Sequence, residues 1–209
     1  MGLKTFVFLA FLALPATAWA QMAQDPPPFP GERAASCPYS DQAFARVAEA
    51  LIVQGIDAER ARFAPDAPRL KSDPELTRIA RLRSCAMAHG GEFSHTDERG
   101  NFIAGEMVEA SFGHYGAIGE NIMKMGSSFA PIATRPFGPE EFARISVDGW
   151  MKSPGHRENI LNPRYDLSGI GVAMVDGQAF ATQVFHGPPR RMTPKSGRPG
   201  IDTPSVRDE

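Results

Sequence analysis

The chain has 209 residues, a formal net charge of -2 and 42% hydrophobic residues. So small a net charge argues against a nucleic acid or another charged polymer as the partner. The length is enough for one sizeable hydrophobic core, even after an N-terminal segment is set aside.

Residues 1–20 have the features of a secretory signal peptide. Lys4 supplies a positive start, residues 5–14 form an apolar run, and the sequence AWA at 18–20 is a small-x-small cleavage site. The apolar run is too short to span a bilayer as a stable helix, although an uncleaved anchor is the alternative. We predict cleavage before Gln21 and export to the periplasm or beyond the cell, with no transmembrane segment in the mature protein.

Residues 21–40 form a Pro-rich leader, with four prolines between Gln21 and Arg33. Such a composition favours extended or flexible chain. The sequence holds two cysteines, Cys37 and Cys85. An isolated pair in an oxidising compartment most simply forms one disulfide, with two buried free thiols as the alternative.

Hydrophobic spacing predicts two helices in the first half of the chain. Residues 44–52 carry apolar side chains at helical spacing, and the helix either continues past Gly55 to Arg62 or restarts after it. Asp73 and Pro74 are typical of an N-cap and first turn. The second helix ends near residues 90–91, and its predicted apolar face comprises Leu76, Ile79, Leu82 and Ala86.

The second half predicts one more helix and then a hairpin. A helix begins at Pro139, has two carboxylates in its first turn, and ends at residues 153–155. The apolar runs at 169–175 and 178–185 flank Asp176-Gly177, which is a strong hairpin signal. We predict one α+β domain over residues 41–186 and a disordered tail over 187–209, where prolines and polar residues dominate.

Four polar residues stand at the ends of predicted elements, where side chains can converge on a cleft. They are His95, Glu120, Ser153 and His156. Two imidazoles and a carboxylate are the minimum set for a zinc site with an open position, and they also suit a hydrogen-bonded acid–base pair. Their spacings match no short metal motif, and the hydrolase elbow GxSxG is absent. Histidines simply satisfied by their neighbours are a third interpretation.

Three sequence strings resemble the bacterial branch of the CAP superfamily. They are FSHT at 93–96, GENI at 119–122 and WMKSPGHRENIL at 150–161, and the likeness covers about residues 44–185. That superfamily includes cysteine-rich secretory proteins, insect-venom antigens and plant pathogenesis-related proteins. The resemblance implies an α-β-α sandwich, with a short antiparallel sheet between helical layers and an open cleft lined by a His/Glu tetrad.

The resemblance also assigns the cleft residues. Its two histidines fall on His95 and His156, and one acid falls on Glu120. The second acid falls on Ser153, so that carboxylate is missing and a metal would have at most His95, Glu120, His156 and water. In a second departure, Asp57 stands three residues before Arg60, where the family often has asparagine.

The string around residues 150–161 combines scaffold and site in this interpretation. The break at 153–155 is expected to turn His156 into the cleft. We expect Arg157 to bind loop carbonyls or a carboxylate, and Asn159, with Asn121, to serve structural roles. Ser153 is either a nucleophile beside His156 or, more simply, a helix-terminal serine.

Three functions follow, in descending order of preference. The first is a secreted binding module that takes a small amphipathic ligand, such as a lipid or sterol, or a protein partner. The second is a hydrolase or peptidase in which His95, Glu120 and His156 activate water, directly or through zinc. The third is a structural or envelope-associated role carried by the tail and the surface, with a vestigial cleft. Fold-level likeness by itself is a weak guide among them.

Overall fold

The computed structural model describes residue 37 and residues 40–113, 116–126 and 136–188. The predicted signal peptide, most of the leader, and the tail beyond residue 188 lie outside these described residues. The elements, in chain order, are α1 (Gln42–Phe63), β1 (Lys71–Ser72), α2 (Pro74–Ala88), α3 (Ile103–Phe112), β2 (Ala117–Gly126), α4 (Pro139–Lys152), α5 (Pro154–Leu161), β3 (Leu167–Val175) and β4 (Gln178–Gly187).

The strands form one mixed sheet in the order β1-β3-β4-β2. β4 pairs antiparallel with both β3 and β2, while the short β1 runs parallel to β3. The hairpin predicted at Asp176-Gly177 is confirmed. Both residues have positive φ, 49° and 74°, as a tight turn between two right-twisted strands requires.

Helices cover both faces of the sheet. On one face, α2 and α3 pack against the sheet through a cluster that includes Leu76, Val108 and Val184. On the other, α1, α4 and α5 enclose a larger core around Phe142, Trp150 and Phe185. The α-β-α sandwich is therefore confirmed.

The approach of α2 to the sheet explains the sequence GIG in β3. A Cβ on Gly169 or Gly171 would lie 2.1 Å from the backbone of α2. No side chain fits there, so glycine lets the helix rest directly on β3. This close contact fixes the position of α2, the helix that carries Arg83, the ion-pair partner of Glu120.

Most predicted helix boundaries agree with the structure. The first helix is continuous through Gly55, so a restart there is wrong. The Asp73 carboxylate accepts hydrogen bonds from Glu75 N and Leu76 N, both at 2.9 Å, which confirms the N-cap. The predicted apolar face of α2 needs correction, because Leu82 is 36% exposed.

Several elements were not predicted. β1, α3 and β2 give no clear periodic signal, and GENI lies within strand β2 rather than at the end of an element. The predicted helix end at residues 153–155 is a single residue, Ser153, between two successive helices. α4 ends at Lys152 and α5 begins at Pro154, where proline needs no N–H partner. His156 therefore lies on a helix, not in a turn.

The chain before α1 is fastened to the sheet and to α2. The predicted disulfide between Cys37 and Cys85 is present. Ser40 Oγ accepts a hydrogen bond from Met174 N at 3.0 Å, and Asp41 N donates to Met174 O at 2.9 Å. These contacts cover the edge of β3 that β1 leaves open. Within the described residues, no helix is both long and apolar enough to cross a bilayer.

Candidate functional site

The candidate site lies along the outer edge of β2. Asn159 Nδ2 on α5 donates to Glu120 O at 3.3 Å and to Asn121 Oδ1 at 2.9 Å. Asn121 Nδ2 in turn donates to His156 O at 3.1 Å. Trp150 Nε1 donates to Ile122 O at 3.0 Å. These side chains hold the end of α4 and all of α5 against β2, and so place His156 near Glu120.

The Glu120 carboxylate is fully buried and already paired. Its side chain is 0% exposed, and Arg83 Nε donates to its Oε1 at 2.8 Å. Arg83 Nη2 also reaches Oε2 at 3.4 Å and Ser94 O at 2.5 Å. A buried carboxylate needs such a partner, because an unpaired charge would be costly there.

The second carboxylate oxygen of Glu120 orients His95. Oε2 lies 2.7 Å from His95 Nδ1. Because a carboxylate paired with Arg83 is ionised and only accepts hydrogen bonds, Nδ1 must carry the hydrogen. In the neutral imidazole, Nε2 is then a hydrogen-bond acceptor. The His95 side chain is 42% exposed, so the ring is both fixed and accessible.

His156 faces His95 across the cleft. The two ring centroids are 6.3 Å apart, and the rings are tilted by 54°. Burial lowers the pKa of His156 below its ordinary value of 6.5, and the nearby His95 lowers it further. His156 is therefore neutral near pH 7 and offers one donor and one acceptor nitrogen.

The three residues considered for zinc do not form a compact ligand set. Both Glu120 oxygens are bonded to Arg83 and His95. Within the described part of the chain, the only group of three metal-binding side chains whose ligand atoms all lie within 4.8 Å of one another is Cys37, Cys85 and His89. Its two sulfurs are joined in the disulfide. The zinc site of His95, Glu120 and His156 therefore stays a prediction, and it would require these side chains to move closer together.

Ser153 lies at the C-terminal end of α4, as the simpler interpretation of a helix-terminal serine expects, whereas Arg157 makes a contact that differs from the one expected. Ser153 joins α4 to α5 and does not cap α5 with its side chain. Its backbone N donates to Gly149 O at 3.1 Å. The Arg157 Cζ lies 5.1 Å from the centroid of the Phe63 ring, so this guanidinium stacks on an aromatic face.

Arg60 and Asp57, the second departure from the family pattern, have separate roles. Arg60 is 4% exposed. Its guanidinium donates to backbone carbonyls of Pro68, Ile160, Asn162 and Tyr165. Burial lowers its pKa. Asp57 instead pairs with Arg69 at 2.7 Å. Arg60 thus ties α1 to the end of α5 through backbone carbonyls, and the charge of Asp57 partly offsets the effect of burial on the pKa of Arg60.

Sequence reasoning missed Arg83, which positions Glu120. A signal was present, since Arg83 stands four residues after Ile79 and four before Met87, on the buried face of α2. A charged residue on an apolar helical face indicates a buried ion pair or a functional group. The acid that completes the pair lies 37 residues further along the chain.

An apolar surface adjoins the imidazole pair. Phe93, two residues before His95, is 45% exposed, and its ring centroid lies 6.5 Å from that of Phe180. Ile122 packs with Phe180 in a small cluster below it. Glu120 and Ile122 point to the same face of β2, because side chains alternate along a strand. Polar and apolar contact surfaces therefore lie side by side.

A family model described as CAP, cysteine-rich secretory protein family, matches residues 59–185. This chain belongs to the CAP family. Among relatives, the uncharacterized protein YkwD of Bacillus subtilis (strain 168) is 33% identical over 153 residues, which are 73% of this chain and 50% of that protein. The chain thus spans about half the length of the curated relative it matches.

Two solved structures share the fold. An outer surface protein from Borrelia burgdorferi has a TM-score of 0.54 at 15% identity, over 68% of this chain and 92% of that one. An extracellular protein with an SCP domain from Bacillus anthracis str. Ames has a TM-score of 0.52 at 24% identity, over 73% and 45%. At these identities the likeness supports the α+β CAP fold alone.

Proposed function

We propose that this CAP-family protein is exported and binds a small amphipathic ligand between His95 and His156. The observation that carries the proposal is the bonding of Glu120. Its carboxylate oxygens are taken up by Arg83 and His95. The carboxylate therefore serves to orient an imidazole, and the ring nitrogens are what the cleft offers to a ligand.

The hydrogen-bonding state of the two rings favours a hydroxyl group on the ligand. His95 Nε2 accepts a hydrogen bond, and neutral His156 can donate one. A hydroxyl both donates and accepts, so one group can satisfy both rings. The exposed ring of Phe93, which lies beside the buried Phe180, supplies contact area for an apolar body. A hydroxylated lipid or sterol has both features, and a hydroxyl side chain of a protein partner is the alternative.

Hydrolysis is the second candidate. A carboxylate bonded to His Nδ1 is the arrangement that orients a general base, and the His95–Glu120 distance of 2.7 Å fits it. Arg83 argues against this role, because it already neutralises the carboxylate that would stabilise an imidazolium. A metal-assisted version would rest on two imidazoles, with Glu120 engaged elsewhere.

Ligand binding is tested with matched pairs of amphiphiles. Hydroxylated lipids and sterols, and analogues that lack the hydroxyl, are titrated against wild type, the His95→Ala/His156→Ala variant and a His89→Ala control. Because each hydrogen bond contributes about 1 kcal/mol, the double variant should bind the hydroxylated member about 10- to 30-fold more weakly. Equal affinity for both members of every pair, or for all three proteins, would remove the proposal.

The hydrolase alternative needs its own measurement. Zinc titration by calorimetry near pH 7.5, together with ester and peptide hydrolysis assays, is made on wild type and the double variant. Hydrolysis that disappears in the folded double variant would replace ligand binding with catalysis. Export is tested separately by cell fractionation and N-terminal sequencing, which should find a chain that begins at Gln21.

A further inference from the structure

A surface at the junction of α4 and α5 carries three cations without an ion pair among the described residues. Most arginines of the fold have partners. These are Arg60 with backbone carbonyls, Arg69 with Asp57, Arg78 with Glu75, Arg81 with Glu49, Arg83 with Glu120, and Arg144 with Asp148. By contrast, Lys152, Arg157 and Arg164 have no ion-pair partner among the residues that the structure describes.

These three cations line one groove of about 780 Å³, at the junction of α4, α5 and residues 162–164. Glu158 is the only acid in its lining. The other lining residues are mostly apolar: Met151, Pro154, Leu161 and Pro163, with Asn162. None of the four cleft residues lines it, so the groove is a separate feature. Cationic and apolar side chains therefore line the same groove.

One of the three cations, Arg157, is held in place by an aromatic ring. The Cζ atoms of Arg157 and Arg62 lie 5.1 Å and 4.7 Å from the centroid of the same Phe63 ring. Phe63 is itself 44% exposed. Stacking occupies the flat face of a guanidinium and leaves its N–H edge available. That edge matches two oxygens of a phosphate.

We propose that this groove docks the protein on membranes through the phosphate head groups of anionic phospholipids. Charge complementarity selects the occupant: three cations face one acid in a chain whose formal net charge is -2, so the attraction is local. The apolar lining residues, among them Met151 and Leu161, suit the glycerol and upper chain region beneath the head group. This peripheral contact is a function beyond ligand binding in the cleft.

The test uses vesicles and variants that leave the Phe63 stack intact. The purified protein is titrated with vesicles of phosphatidylglycerol and phosphatidylcholine, and with phosphatidylcholine alone. Each basic residue near an anionic membrane surface increases the affinity for that surface about fivefold. Lys152→Gln/Arg164→Gln should therefore weaken binding to the anionic vesicles about 25-fold. Glu158→Gln should strengthen it several-fold.

A charge-matched control separates the groove from net charge. Arg69→Gln/Arg144→Gln removes the same charge from side chains that do not line the groove, and should bind like wild type. The proposal is overturned if anionic vesicles do not bind, or if both double variants lose affinity equally. It is also overturned if soluble glycerol phosphate binds as tightly as vesicles, since the groove would then serve a free anion.

Discussion

The two flanks of helix α2 carry the same pair of charges with different surroundings. On the flank toward α1, Arg81 Nη2 lies 2.6 Å from Glu49 Oε2. On the flank toward β2, Arg83 Nε lies 2.8 Å from Glu120 Oε1. Both acids are buried, and each accepts one further hydrogen bond. For Glu49 the additional donor is Val172 N, at 3.0 Å, whereas for Glu120 it is the exposed ring of His95.

The difference shows that the third partner decides what a buried ion pair does. Glu49 is enclosed by protein on every side, and burial raises its pKa above 4.5 despite the Arg81 guanidinium. Its pair fastens α1, α2 and the edge of β3. Glu120 is held just as firmly, and through its second oxygen it fixes the ring of His95, which solvent and ligands can reach. The Arg81–Glu49 pair therefore stabilises the fold, whereas the Arg83–Glu120 pair positions a side chain of the cleft.

The largest expected effect comes from breaking the pair on the cleft side. Glu120→Ala leaves the Arg83 charge buried without a partner, which should lower the free energy of unfolding by about 3–5 kcal/mol. Urea denaturation measures the loss. The Arg83→Leu/Glu120→Leu variant, which removes both charges, should recover much of it. A loss below about 1 kcal/mol in Glu120→Ala would mean that Arg83 finds water or another acceptor.

The disulfide strengthens only the α1 flank of α2. It joins residues separated by 48 positions, and a loop of this length corresponds to about 4 kcal/mol in the chain-entropy model. Cys37→Ser/Cys85→Ser should lose that stability yet keep the ligand affinity of the cleft. Denaturation and ligand titration of the same sample provide the measurements. A fall in both would show that the two flanks are coupled.

Breaking the pair on the α1 flank should cost less. Arg81 is 15% exposed at its side chain, against 5% for Arg83, so water can partly replace a lost carboxylate. Glu49→Ala should lower the free energy of unfolding by about 2 kcal/mol. The 15N chemical shifts of the His95 ring distinguish the effects of the two ion pairs on the cleft. The Nδ1–H tautomer of His95 should persist in this variant and be lost in Glu120→Gln.

The smallest effect concerns His156 and pH. Its folded pKa is lower than 6.5, so the unfolded chain takes up the proton at a higher pH than the folded one. Stability is therefore full above about pH 6.5 and is lost as the pH falls through the folded pKa. For a half-exposed ring the loss should be under about 1 kcal/mol. Denaturation between pH 7.5 and 5 measures how the free energy of unfolding depends on pH. His156→Gln should remove the contribution of His156 to this dependence, whereas His89→Gln should retain it.

Features that depend on residues close together in the chain can be predicted from the sequence. The Asp73 N-cap and the Asp176-Gly177 turn are settled within a few residues, and both were predicted. The order of the three CAP-like strings predicted the sandwich, because a family likeness carries tertiary information that periodicity lacks.

The parts that could not be predicted depend on distant partners. Strand β2 reads AIGENIMKMG, in which the buried Glu120 and Asn121 interrupt the apolar pattern. Their partners, Arg83 and Asn159, lie 37 and 38 residues away. Leu82 was assigned to the core and Arg83 was not, because hydrophobicity alone favours leucine. For the same reason, the sequence named the cleft residues but not the arginine that orients them.

The side chains that border the sheet have a consequence for how this protein behaves among its own copies. Beyond β2, Asn159 and Trp150 occupy the carbonyls of Glu120 and Ile122. Beyond β3, Ser40 and Glu49 occupy the N–H groups of Met174 and Val172. Such groups would otherwise be free to pair with a strand from another molecule. The contacts that shape the cleft and anchor α1 thus also guard against fibre-like aggregation.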